Sequence, residues 1–280
     1  MLEKFYNEQV SYSRKYLIPF LKRNIPNFNF LSILEIGCAE AGFLSVLQQE
    51  GIECEGIELN ERRAKVAVEK NPNLKIIIGD ISGENILEKI GRQYDLIIVR
   101  EVIEHIQNKD TTFRNLCELL KPNGYLFITF PPKYSPFAGH QQVGRTFLRK
   151  LPYIHLFPES LLKILEKTLN ENPGYADHLQ LHFKTGISIY RFKKFLQKYG
   201  FIAIKKQFFI FRPIYKLRYG LPIIKIPNIW ILREFICFGC ESLLTKQQKN
   251  KKHIVNYSLK VLLTFLQYYF ILYQTLLSQV

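Results

Sequence analysis

Short apolar runs alternate with amphipathic stretches between residues 33 and 130. Ile33, Leu34 and Ile36 form the first run, the mark of a buried strand, with Glu35 set inside it. Gly37 allows a tight turn. From Ala41 the spacing of Phe43, Leu44 and Leu47 is that of the inner face of a helix. The same alternation predicts strands over 53–58, 74–78, 96–99 and 125–130, with helices over 61–70, 84–90 and 110–120 between them. Gly51, Asn71-Pro72 and Lys121-Pro122-Asn123-Gly124 punctuate the series. Strands and helices in this rhythm predict an α/β fold, a doubly wound and mostly parallel sheet with helices on both faces. Ligands of such sheets lie outside the carboxyl ends of the strands. Gly37, Glu58, Asp80 and Arg100-Glu101 all fall at predicted strand ends.

Outside this block the pattern changes. Residues 1–30 predict a lead-in helix over 7–22, apolar along Tyr12, Tyr16, Leu17, Phe20 and Leu21 and ended by Pro26. Residues 131–186 lose the rhythm and hold most of the histidines, which reads as a cap inserted over the rim after strand five. A helix over 187–199 and a strand over 201–211 restore it. The expected domain therefore spans 31–211, followed by a basic, apolar, helical extension over 212–280. Within that extension, Val261–Val280 carries no charge and follows the basic run KQQKNKKH.

Charge sharpens the division. Residues 1–130 hold 16 basic and 18 acidic side chains, whereas 131–280 hold 23 and 6. A near-neutral first half and a strongly basic second half suggest an anionic partner for the second: a membrane surface, a phosphorylated lipid carrier or a nucleic acid. Five scattered cysteines point to a reducing compartment, and Met1–Gln9 shows no signal peptide, so a cytoplasmic location is expected. Cys237 and Cys240 form a lone CxxC with no second pair, which reads as incidental.

The strand–turn–helix at 33–44 has the form of a cofactor-holding corner, because small residues admit a ligand to the backbone and a helix N-terminus offers free N–H groups. Gly37, Ala39 and Gly42 also fit a dinucleotide pattern, but Glu35, two residues before the first glycine, suits a ligand bearing an ammonium group. As an ordered set, LEIGCAEAGFL, GIELN, GDI, YDLIIVREVIEHI and LKPNGYLFITFPP resemble the motifs of class I S-adenosylmethionine-dependent methyltransferases, near the ubiquinone-biosynthesis O-methyltransferases. The resemblance covers about 31–131 and the 187–211 segment, and implies a Rossmann-like fold with S-adenosylmethionine as cofactor. It implies cofactor contacts at Glu35 (methionine ammonium), Gly37, Cys38, Gly42, Glu58 and Leu59 (ribose), Asp80 and Ile81 (adenine), Arg100 and Glu101. Ala39 and Ala41 stand where the family usually has glycine, and the family's seventh, antiparallel strand is not evident after Phe211.

A sulfonium methyl is already electrophilic, so transfer needs in-line positioning and, for an alcohol, a base. His140, in a loop over the rim, is the first candidate and His105 the second, with a bracing role the simpler reading for His105. His155, His178 and His182 show no metal-binding spacing, so no metal is expected. The cap resembles those of surface-polysaccharide methyltransferases. The expected acceptor is a small molecule, glycan or lipid-linked intermediate, O-methylated at the inner face of the membrane. A quinone or other lipid head group is the nearest alternative. From another class, a non-catalytic membrane-surface protein with a degenerate methyltransferase fold is a further reading. Nucleic acid is disfavoured, because Arg100-Glu101-Val102-Ile103 replaces the Asn/Asp-Pro-Pro-aromatic tetrad of amino-directed enzymes. The 261–280 stretch reads as a packed helix, an interfacial helix or, least well, a span.

Overall fold

The structure, a computed structural model, describes residues 2–246. Val261–Val280, expected as a packed, interfacial or spanning helix, and most of the basic run before it lie outside the described residues. Eight strands follow in chain order: β1 (Ile33–Ile36), β2 (Cys54–Glu58), β3 (Lys75–Ile78), β4 (Tyr94–Arg100), β5 (Leu120–Phe130), β6 (Phe201–Phe211), β7 (Ile224–Lys225) and β8 (Gly239–Lys246). They form one sheet in the order β3-β2-β1-β4-β5-β8-β6-β7. The first five are parallel; β8 runs antiparallel between β5 and β6, and β7 antiparallel on the outer edge of β6.

Alternation within the central strands supplies two cores. Leu34, Ile36, Ile97 and Val99 join a cluster with Phe113 and Phe192. Ile33, Leu96 and Ile98 join another with Phe43, Leu47 and Phe127. Successive side chains thus serve opposite faces, and both faces are covered, so these strands read as nearly unbroken apolar runs.

The lead-in helix runs further than its apolar stripe, from Leu2 to Asn24, through a π-helical section at Ser13–Leu17. Pro19 accounts for that section: it has no N–H to give to the preceding turn, and the Ile18 N–H reaches back to the Ser13 carbonyl instead. The cap holds the helices Glu159–Thr168 and Tyr175–Thr185 and a small core of its own around Leu148, Ile154, Leu162, Tyr175 and Leu179.

The sheet does not stop at residue 211. Residues 212–238 carry β7 and two short helices, Pro213–Tyr219 and Trp230–Phe235, and β8 then completes the sheet. The boundary expected at 211 is therefore corrected: residues 239–246 are a central strand and not part of a helical extension. This strand conceals itself because Glu241 and Ser242 are buried on it, so no apolar run marks it. Glu241 accepts from the Tyr16 hydroxyl (2.9 Å) and Gln207 Nε2 (2.7 Å), and burial raises its pKa to about 7. Cys237 and Cys240 are free thiols packed in the first core.

Candidate active site

The carboxyl ends of β1, β2 and β4 open into a cavity of about 900 Å³. The lead-in helix contributes Gln9 and Tyr12 to its wall, the cap Phe137 and His140, and the segment after β6 Arg212 and Tyr215. Of the expected contacts, Gly37, Cys38, Glu58, Leu59, Asp80, Ile81, Arg100 and Glu101 all line this one space, together with His105 and His140.

Gly37 adopts φ +68°, and a Cβ there would lie 2.4 Å from Val102, so the turn needs glycine. Ala39 (φ +55°) and Ala41 (φ +59°) keep the same left-handed backbone without glycine. Ala41 does not line the cavity and its methyl sits in the second core, so only Ala39 narrows the ligand's path.

Glu58, at the end of β2, is held from two sides. Its Oε2 accepts from the Ala39 N–H (2.7 Å) and its Oε1 from the Asn60 N–H (2.8 Å). Each oxygen keeps a further lone pair, the requirement for binding two vicinal hydroxyls. Asp80 Oδ1 caps its own turn through the Ser82 N–H (2.7 Å) and Oγ (2.8 Å), leaving Oδ2 open. Ile81, almost fully buried, and Leu59, largely exposed, supply apolar surface beside it.

Two expected contacts are placed elsewhere. Glu35 does not line the cavity: its Oε1 accepts from Arg100 Nε (3.0 Å) and Nη2 (2.5 Å), and its Oε2 is buried without a partner. Burial raises its pKa and the Arg100 guanidinium opposes that rise. Arg100, resting over the Phe43 ring, is the member of the pair that lines the cavity. Gly42 packs against the lead-in helix: its N–H donates to Gln9 Oε1 (2.8 Å), and a Cβ would lie 2.7 Å from the Tyr6 carbonyl. Close helix contact, not ligand approach, explains that glycine.

Glu101, with φ +55° just past β4, accepts from Thr129 Oγ1 (3.0 Å) and pairs with Arg212 Nη2 at 2.6 Å. Its side chain is 37% exposed, and since it lines the cavity that exposure is toward the ligand space. Burial works to raise its pKa, but the Arg212 guanidinium outweighs this and the pKa is lowered. Sequence reasoning missed Arg212. Its only signal was a cation breaking an apolar stretch directly after strand six.

The histidines converge although their sequence spacing gave no sign of it. His105 and His140 ring centroids are 5.0 Å apart, His140 stacks on His182 at 4.4 Å, and His178 meets His182 edge-on at 4.4 Å. One ring nitrogen from each of His105, His140 and His182 lies within 4.8 Å of the others, an arrangement able to take a divalent cation after small side-chain rotations. The expectation drawn from spacing alone thus fails to anticipate this cluster. His140 Nε2 is buried without a partner. Burial lowers the pKa of His140 to about 4 and of His182 to about 3, reinforced by the neighbouring imidazoles, and also lowers that of His105. Glu104 is buried with neither oxygen in a hydrogen bond, its Oε1 3.9 Å from His105 Nε2, and burial together with Glu101 pushes its pKa well up. His155 stands apart, buried with Nε2 3.0 Å from the Lys133 carbonyl oxygen.

A mostly parallel sheet with a reversed strand inserted beside β5, carrying carboxylates at the ends of β2 and after β3 and an arginine at the end of β4, defines a class I S-adenosylmethionine-dependent methyltransferase. The donor set fits that cofactor: carboxylate lone pairs for ribose hydroxyls and an adenine amino group, and a guanidinium for the amino-acid end. Residues 6–204 match the family described as "Methyltransferase domain", and the chain belongs to it. The ubiquinone biosynthesis O-methyltransferase of Rickettsia typhi is 30% identical over 118 residues, 41% of this chain and 47% of that protein. The human mitochondrial ubiquinone biosynthesis O-methyltransferase is 28% identical over 131 residues, 40% of this chain and 34% of that protein. The chain spans about half the length of the curated relatives it matches, or less. Among solved structures, the plantazolicin methyltransferase BamL, in complex with a triazolic desmethylPZN analog and SAH, superposes with TM-score 0.53 at 13% identity. That match covers 88% of this chain and 87% of that one. A putative sarcosine dimethylglycine methyltransferase from Galdieria sulphuraria gives TM-score 0.53 at 13% identity, covering 83% and 84%. These two show the fold.

Proposed function

We propose that this protein transfers the methyl of S-adenosylmethionine to a hydroxyl of phenol or quinol type on a lipid-borne small molecule. The observation that carries the reading is the imidazole cluster at the cavity wall, in which His140 is an uncharged and weak base. A base of pKa about 4 faces a smaller uphill step with a phenolic hydroxyl, about 10 as in tyrosine, than with an alcohol, nearer water's roughly 15.7. So weak a base suits an acidic hydroxyl, and the choice of a quinol over a sugar rests on the relatives. The named quinone-pathway relatives support the same class of acceptor.

Bound S-adenosylmethionine supplies a methyl on a sulfonium. The residues do the rest: Glu58, Asp80 and Arg100 fix its orientation, and the cap loop at Phe137–His140 brings the acceptor in line. On transfer of that methyl from sulfur to the acceptor oxygen, His140 would take the hydroxyl proton. The carboxylate of Glu101 lies on the side where imidazolium charge develops and stabilises it.

The test is methyl transfer from labelled S-adenosylmethionine to a prenylated catechol, compared with sugar acceptors. His140→Asn is the informative variant, because asparagine tolerates the φ of +51° and cannot act as a base. Turnover should fall about 10²-fold with cofactor affinity retained. Transfer to sugars in preference to the catechol would overturn the acceptor assignment, and absence of S-adenosylmethionine binding would favour a non-catalytic scaffold.

A further inference from the structure

The segment after β6 exposes an unusual amount of apolar surface. Of residues 222–231, PIIKIPNIWI, only Ile226 is turned inward. Ile229 is 53% exposed, Trp230 62% and Ile231 60%, and Ile223, Ile224, Phe235 and Ile236 each about 40%. Tyr219, at the end of the preceding helix, is 67% exposed. The surface lies on β7, the strand at the open edge of the sheet, and on the helix Trp230–Phe235 that follows. A patch of this kind on a protein surface marks an interaction site.

Charge selects the partner. Between residues 212 and 238 the ionisable chain carries Arg212, Lys216, Arg218, Lys225 and Arg233 against one acid, Glu234. Glu234 is 5% exposed and spent on the Ile189 and Tyr190 N–H groups at 3.1 and 2.7 Å, where it caps a helix. Lys216, Lys225 and Arg233 have no carboxylate partner among the described residues. A second copy of the same surface would set cation against cation, and so would the chain's own basic run at 246–253. Nucleic acid would match the charge but not eight exposed aliphatic and aromatic side chains.

We infer that residues 216–236 form a docking surface for an anionic lipid bilayer, with Trp230 and its aliphatic neighbours entering the head-group region and Lys216, Lys225 and Arg233 meeting the phosphates. Tryptophan and tyrosine prefer that interface, and basic side chains beside it add attraction to anionic lipid. The same segment supplies Arg212, Tyr215 and Arg218 to the cavity wall, so docking sets the cavity beside the bilayer. The inference does not depend on which hydroxyl is methylated.

Trp230 is the chain's one tryptophan, so its emission reports this surface alone. The full-length protein is titrated with phosphatidylcholine vesicles, with and without phosphatidylglycerol, some carrying brominated acyl chains. The expected result is a blue shift and bromine quenching with the anionic vesicles only, reversed by high salt. Lys225→Glu should weaken that binding about five-fold or more, and Ile231→Ser should weaken it as well. Neither residue lines the cavity, so unchanged affinity for S-adenosylhomocysteine confirms folding. Vesicle binding with Trp230 emission unaltered would place attachment elsewhere in the chain and overturn the inference. So would equal binding to neutral vesicles, a blue shift that follows protein concentration alone, or a shift with nucleic acid and none with vesicles.

Discussion

Replacing Glu58 by Gln removes one charge and exchanges one carboxylate oxygen for an NH2. Both oxygens of Glu58 accept from backbone N–H groups, Ala39 at 2.7 Å and Asn60 at 2.8 Å. Whichever way the amide turns, its NH2 meets one of those donors. One charge-assisted hydrogen bond is lost, worth about 1.5–3 kcal/mol, and the other weakens. The acceptor for one ribose hydroxyl goes with it. Affinity for S-adenosylmethionine should therefore fall by about 1.5–3 kcal/mol, roughly 10- to 150-fold. Because the Ala39 and Asn60 bonds exist without ligand, the variant should also melt earlier, which a binding-only role would not predict. Calorimetric titration with S-adenosylhomocysteine reads the first effect and thermal denaturation the second. A folded Glu58→Gln protein that binds the product with native affinity refutes the assignment.

Arg100→Met should leave Glu35, 1% exposed, without its partner among the described residues and cost about 3–5 kcal/mol of stability, read from a urea midpoint; a loss under about 1 kcal/mol would show that Arg100 is not what holds that carboxyl. Gly42→Ala, with its new Cβ 2.7 Å from the Tyr6 carbonyl, should cost about 1–3 kcal/mol and displace the lead-in helix, seen as faster hydrogen exchange in residues 2–12. For pH, the His140 pKa is about 4 when folded and 6.5 when unfolded, so the unfolded chain binds more protons between those values and this contribution to stability falls as pH drops through that window. Glu241, raised to about 7, acts in the opposite sense, so the comparison is made as a difference between the wild type and His140→Asn. That difference should shrink by up to about 3 kcal/mol from pH 7 to pH 4; a constant difference would mean His140 titrates normally.

The parallel half of the sheet was legible because strands buried on both faces must be apolar throughout. Ile33–Ile36, Leu96–Val99 and Tyr125–Phe130 leave little room for another reading. β8 was not legible, since it buries Glu241 and Ser242, and Glu241 is accommodated by partners more than 30 residues away in Tyr16 and Gln207. The carboxylates at the strand ends were likewise readable from position, because topology alone brings strand ends together. Glu35 and Gly42 show the limit of that reasoning: a motif residue can serve the neighbouring arginine or helix and not the ligand. The histidine cluster needed the cap to fold back from residues 140 and 182 onto residue 105, and no local spacing encodes such a return.

The position of β8 also orders events in time. β5 is complete at Phe130 and β6 at Phe211, yet neither touches the other, and the ladder between them waits for residues 239–246. During synthesis the β5 edge therefore stands open for more than a hundred residues of chain growth and the β6 edge for the 27 residues from 212 to 238, each able to pair with a neighbouring chain. A nascent chain halted before Gly239 holds its five parallel strands but no strand pairing that reaches β6. Arg212, which completes the cavity wall against Glu101, belongs to the part that docks last. Competence to bind ligand is thus tied to closing the sheet, and a ribosome-stalled fragment ending near residue 235 should be recognised by chaperones and not by S-adenosylmethionine.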